Sequence, residues 1–215
     1  MRTIISVRRH AEYEKKDRGD LLTLRGIEQA LSIGEELREK YKPLLAIYVS
    51  DTKRAQQTAS AMLHAYGNRN PVVLGVLDEL MVQDPESPPE GMQHDEFLQK
   101  WLDEYWADMG PMYQTGDRLI WKIWTHPQVD GRIEMITHCP NIEAALVRLF
   151  NTSPEEIPPS VSIKDIGGHF KHGEGFELVH DSYDDVLADC NIHHKGRIIP
   201  YYRIRNVSEG LPRCR

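Results

Sequence analysis

The sequence predicts an α/β fold, a mostly parallel sheet covered by helices. Two observations carry that expectation. Short β-branched or continuously apolar runs alternate with segments of helical period as far as residue 150, and the connections between them are short. The run LLAIYVS (44–50) is apolar almost throughout, the pattern of a strand buried on both faces.

The elements follow in order. Residues 3–8 (TIISVR) read as a first strand. After a polar stretch, Leu24, Ile27, Leu31, Gly34, Leu37 and Tyr41 recur at helical spacing, with Thr23 as N-cap and Pro43 as the stop. The strand 44–50 runs into a second helix, DTKRAQQTASAMLHAY, capped by Ser50 or Asp51. PVVLGVL (71–77) reads as a third strand, and MVQDPESPPEGMQ (81–93) as a long proline-rich loop. Helical segments around 94–108 and 115–125 carry Trp and Tyr residues that read as core packing. Together, 81–125 reads as a helical insertion lining one side of a site. RIEMIT (132–137) is a further strand, NIEAALVRLF (141–150) a helix, and GFELVH and IIPYYRIR late, antiparallel strands. Neither repeats nor a linker divides the chain, so residues 1–215 are expected to form one domain.

Composition narrows the function classes. With 40% hydrophobic and 27% charged residues, the chain reads as an ordinary globular protein. A net charge of -7 argues against a nucleic-acid or anionic-membrane binder, and against highly phosphorylated ligands that need a wide basic surface. It leaves room for a small basic pocket. No apolar run is long enough to span a membrane, and the start is too quickly charged for a signal peptide. Cys139, Cys190 and Cys214 are odd in number and widely spaced, which fits a reduced, cytoplasmic setting. The acceptor triplets at Asn151 and Asn206 then read as chance.

In open α/β sheets, ligands bind beyond the carboxyl ends of the strands. The predicted strand ends are Arg9-His10, Ser50 with Arg54 in the following helix, Asp78-Glu79, and Thr137-His138. Two arginines, two histidines and a carboxylate thus converge on one edge. Arginine offers a planar fork of donors to phosphate oxygens. A neutral histidine is a competent nucleophile when a backbone carbonyl holds its other ring nitrogen protonated. A second histidine can donate to phosphoryl oxygens, and a carboxylic acid can protonate a leaving oxygen and then activate water.

At these residues the chain resembles the histidine phosphatase (phosphoglycerate-mutase-like) superfamily. RRHAE (8–12) is similar to its RHG/RHA signature, LTLRGIEQA (22–30) to its L-T-x-x-G-x-x-Q-A, and SDTKRAQQTA (50–59) to its S-x-x-x-R-A-x-Q-T-A. MITHCPNIEAAL (135–146) resembles the segment bearing the second histidine. The resemblance spans about 3–146. It implies a three-layer sandwich of phosphoglycerate-mutase-like fold and a phosphomonoester phosphatase working through phosphohistidine at His10. Arg9, Arg54 and His138 would form the phosphate pocket and Glu79 would be the proton donor, with no metal or organic cofactor. The expected partner is a small phosphorylated substrate, with a phosphoprotein left open.

Several residues depart from the family pattern. Arg8 stands where an aliphatic residue is usual and reads as a pocket-rim or surface residue. Cys139-Pro140 replaces a glycine, and Ala11 a commoner glycine. Asp78 competes with Glu79 as the acid. So do Asp17 and Asp20, because compact phosphohistidine phosphatases of the family draw the acid from the loop after the first motif; their bland reading is as solvated loop carboxylates. His169, His172, His193 and His194 lack a ligand set with metal spacing and read as solvated. Three alternatives stand beside this reading. A cysteine-dependent phosphatase would need an arginine where the chain has Ala145. A mutase would have a longer segment between Glu12 and Thr23. A phosphatase-like scaffold or binding module with weak catalysis is the non-enzyme reading. Oligomeric state is not legible.

Overall fold

The computed structural model describes residues 2–14, 20–40, 42–67, 71–80, 91–93, 96–100, 118–119, 122, 130–150, 162–181 and 190–201. Most of the expected 81–125 insertion, with its Trp and Tyr residues, lies outside them; residues 96–100 are helical. Leu98 and Leu119 are fully buried. Among the described residues no helix is long and apolar enough to cross a membrane.

The strands are β1 (Arg2–Arg9), β2 (Tyr13–Glu14), β3 (Leu21–Leu22), β4 (Leu44–Val49), β5 (Val73–Val76), β6 (Gly131–Thr137), β7 (Gly175–Asp181), β8 (Cys190–His194) and β9 (Arg197–Tyr201). The helices are α1 (Leu24–Glu39), α2 (Lys53–Tyr66) and α3 (Asn141–Phe150). Seven strands form one mixed sheet in the order β5-β4-β6-β1-β7-β8-β9, and β2 pairs with β3 as a small hairpin. The four strands β5, β4, β6 and β1 are parallel, and β7, β8 and β9 continue antiparallel from β1. The expected α/β fold is therefore present. Its sheet has a parallel part that carries the site and an antiparallel extension.

Two apolar cores flank the sheet. One joins Ile5, Val7, Ile133 and Met135 to α3, Phe170 and Phe176. The other joins Ile47, Val49 and Ile136 to α1 and α2. All seven residues of β6 are buried, as a central parallel strand requires.

The buried face of helix α1 shares Gly34 and Leu37 with the one its spacing suggested but excludes Leu24 and Ile27. Gly26, Ala30, Ile33, Gly34 and Leu37 face inward, while Leu24 is 82% exposed and Ile27 is also exposed; Tyr41 is outside the described residues. Small residues win because the backbones come close. A methyl group at Gly34 would overlap the Met62 carbonyl of α2, and one at Gly26 would overlap the Glu12 carbonyl. Thr23 caps α1 as expected, accepting from Gly26 N at 3.0 Å. The cap of α2 is Thr52, not Ser50 or Asp51. β8 was not foreseen, because CNIHH lacks the alternation that marks a strand.

Candidate active site

Register aligns the strand ends. Arg9 is level with Thr137, and Val49 is level with both Ile136 and Val76. The next residues along each strand are therefore His10, His138, Ser50 and Leu77, all at one edge. His10 N donates to Thr137 O at 3.0 Å and Ser50 N to Ile136 O at 3.3 Å, which fastens these exits together.

His10, His138 and Arg54 are all buried at this edge. The His10 ring nitrogen Nδ1 lies 2.8 Å from Ala11 O. A carbonyl only accepts, so Nδ1 carries the proton and Nε2 keeps its lone pair. Arg54 Nε donates to that Nε2 at 3.2 Å. The same guanidinium donates to His138 Nδ1, from Nε at 3.4 Å and Nη2 at 3.3 Å. His138 therefore carries its proton on Nε2, which donates to Ser50 Oγ at 2.6 Å. The ring centroids of the two histidines are 5.0 Å apart.

Burial, then the neighbouring His138 and the Arg54 and Arg9 guanidiniums, push the His10 pKa down to about 2, against the opposing bond to Ala11. Burial and the two arginines push His138 down to about 3. Both rings are neutral near pH 7, so the positive charge of the pocket resides on the arginines. Arg9 Nη1 donates to Phe170 O at 2.6 Å, while its buried Nε has no partner within the protein.

The motif residues around the site act as ties. Thr58 Oγ1 donates to Arg54 O at 2.7 Å and accepts from Ala11 N at 3.1 Å, linking the Arg54 turn to the first motif. Gln29 Oε1 accepts from Glu12 N at 3.0 Å, and Thr23 Oγ1 donates to Glu12 Oε1 at 3.0 Å. Together with the close approach of Gly26 to Glu12, these bonds give Thr23, Gly26, Gln29 and Thr58 a physical task.

Glu79 sits in a 3-10 turn, Asp78–Leu80, directly after β5. The turn is tied to the same edge, because Leu80 O accepts from Thr137 Oγ1 at 3.0 Å. The Glu79 side chain and Asp17 lie outside the described residues, and Asp78 is exposed. Asp20 is not a solvated carboxylate: it forms an ion pair with Arg54 Nη1.

Three further expectations need correction. Arg8 is not a surface residue. Its side chain is 12% exposed and pairs with the buried Glu134 at 3.3 Å, while Nη1 donates to Gly173 O at 2.8 Å. His194 is buried, with Nε2 donating to Ile166 O at 2.6 Å. His172 packs on the site, its ring centroid 5.5 Å from that of His10. Cys139 is a half-buried thiol, in no disulfide, hydrogen-bonded to Glu143, a carboxyl that burial pushes above its usual range.

Sequence reasoning missed Tyr13, whose ring lies under the Arg54 guanidinium at 4.7 Å and edge-on to His10 at 5.1 Å. Its place soon after His10 was the available signal. His172 gave none, because it reaches the site from the remote turn before β7.

A sequence model described as Histidine phosphatase superfamily (branch 1) matches residues 5–161. Comparison with curated protein sequences gives no match. Among solved structures, the chain is similar to a phosphoglycerate mutase from Bacillus anthracis, with 16% identity and TM-score 0.58, covering 91% of this chain and 93% of that one. It is similar to the alpha-ribazole phosphatase from Shigella flexneri at 21% identity and TM-score 0.51, covering 93% and 96%. A mycobacterial glucosyl-3-phosphoglycerate phosphatase matches at 17% identity and TM-score 0.53, covering 83% and 90%. These likenesses concern the fold.

Proposed function

The chain belongs to the histidine phosphatase superfamily, and from that premise we propose that it hydrolyses a phosphomonoester through a phosphohistidine at His10. The observation that carries the reading is the 2.8 Å bond from His10 Nδ1 to Ala11 O, which leaves Nε2 unprotonated as the nucleophile.

In the proposed reaction the phosphoryl group lies between Arg9, Arg54, His10 and His138. His10 Nε2 attacks phosphorus, forming a P–N bond as the P–O bond to the leaving alcohol breaks. Glu79 supplies the proton to that oxygen. Arg9 and Arg54 stay charged throughout and stabilise the equatorial oxygens, and His138 donates its one N–H, on Nε2, by exchanging Ser50 Oγ for a phosphoryl oxygen. Water then attacks phosphorus, the P–N bond breaks, and Glu79 takes the water's proton. Asp20 is the weaker candidate, because its carboxyl group is engaged by Arg54 Nη1. No step uses a metal or organic cofactor.

We assign the substrate to small phosphorylated molecules, with a phosphoprotein as the alternative class. The test is hydrolysis of an aryl phosphate by the wild type and by His10→Ala. Turnover by the wild type and its loss in the variant support the reading, and full turnover by His10→Ala overturns it. Phosphoryl transfer between positions of a phosphoglycerate would indicate a mutase instead. Absence of both activities with retained phosphate binding would indicate a binding module.

A further inference from the structure

The turn before β7 brings a third histidine to the pocket. His172 lies with its ring centroid 5.5 Å from His10 and 6.0 Å from Tyr13. It is close enough to Arg9, Arg54 and Glu12 for their charges to act on it. Its Nε2 is buried and has no hydrogen-bond partner within the protein.

A buried polar atom without a partner is costly and needs a reason. A second such atom is Nε of Arg9, whose guanidinium charge acts on His10, His138 and His172. Two unsatisfied groups on residues that act on His10 suit one ligand with several acceptor oxygens. Burial and the Arg9 charge lower the His172 pKa to about 4. The ring is therefore neutral near pH 7, with one N–H to donate.

The His172 position is also fastened. Gly173 N bonds to Arg9 O at 3.2 Å and to His10 O at 3.3 Å. Gly173 O accepts from Arg8 Nη1 at 2.8 Å. Gly173 has φ +78, so the turn takes a left-handed conformation that suits glycine. Arg8 holds the residue next to His172 while Arg9 and His10 enter the pocket, so all three members of the Arg8-Arg9-His10 triplet act on one site.

We propose that His172 is a further phosphate-binding residue, donating from Nε2 to an oxygen of the phosphoryl group held at His10. This inference rests on the phosphatase reading. It adds a ligand from the antiparallel half of the sheet to those from the parallel strand ends.

The experiment measures orthovanadate affinity, as a phosphoryl mimic, for the wild type, His172→Phe and His172→Gln. Phenylalanine keeps a ring against His10 and Tyr13 but has no donor, whereas glutamine places an amide N–H near the position of Nε2. The proposal expects His172→Phe to weaken vanadate binding by about tenfold or more, as for a lost bond to a charged group. It expects His172→Gln to stay within about threefold of the wild type. Wild-type affinity in His172→Phe overturns the proposal and leaves the phosphatase reading intact. Equal loss in both variants also overturns it, since ring packing alone would then explain the position. A wild type that binds no vanadate overturns the phosphatase reading and this proposal with it.

Discussion

Arg54 Nε stands 3.2 Å from Nε2 of His10, and the same guanidinium reaches His138 Nδ1 at 3.3 Å through Nη2. One planar cation therefore fixes which nitrogen is bare on two buried rings, while Nη1 pairs with Asp20. In the proposed reaction the phosphoryl group at His10 meets a guanidinium already held by protein contacts, the preorganisation that electrostatic catalysis requires.

Arg54→Lys tests that geometry. A lysine ammonium is a point donor and cannot span His10, His138 and Asp20 together. The expected loss in kcat/KM is about 10²- to 10³-fold on an aryl phosphate, with the fold intact by circular dichroism. A loss below about threefold would mean that a single charge, not the fork, matters.

Arg8 is a matter of stability. Glu134 is fully buried, and Arg8 is its nearest cation at 3.3 Å, with Arg132 at 3.5 Å. Arg8→Leu leaves that carboxylate with one partner and should destabilise the protein by about 2–3 kcal/mol in urea unfolding. Adding Glu134→Gln should recover at least half of the loss. If the double variant is no better than Arg8→Leu, the ion pair is not the cause.

The buried histidines predict a pH dependence. His10 and His138 have folded pKa values of about 2 and 3 against the usual 6.5. Below about pH 6.5 the unfolded chain takes up these protons and the folded chain does not, so stability falls with acidification. At pH 5.5 each ring costs about 1.4 kcal/mol relative to pH 7.5. Glu143, pushed upward by burial, acts with the opposite sign but is common to wild type and variant. His138→Gln should therefore lose about 1 kcal/mol less than wild type between pH 7.5 and 5.5. Equal losses would mean that His138 titrates normally.

The proton donor separates by leaving group. Glu79→Gln should slow alkyl phosphates at least about tenfold more than aryl phosphates, whose leaving oxygens need little protonation. Asp20→Asn should affect the two classes alike, because its carboxylate contacts Arg54 and serves binding. The reverse pattern would transfer the acid role to Asp20.

Much of this architecture was legible from the chain. The parallel strands announced themselves through short β-branched or apolar runs, and Arg9, His10, Arg54 and His138 lie at or just beyond the ends of those runs. The inward face of α1 was legible only at Gly34 and Leu37, because close backbone approach at Gly26 and Gly34 outweighs the pull of Leu24 and Ile27. Periodicity counts apolar side chains and cannot see how near two backbones lie. The place of His172 was hidden for a different reason: an antiparallel pairing across β1 carries it in from far along the sequence. Arg8 looked solvated because its partner, Glu134, lies on the neighbouring strand, 126 residues away.

The most direct measurement is rapid-quench detection of phosphoenzyme with an aryl phosphate substrate. The account predicts an acid-labile, base-stable adduct on the wild type, mapped to His10 and absent from His10→Ala. Turnover without such an adduct, or an adduct that persists in His10→Ala, would contradict it.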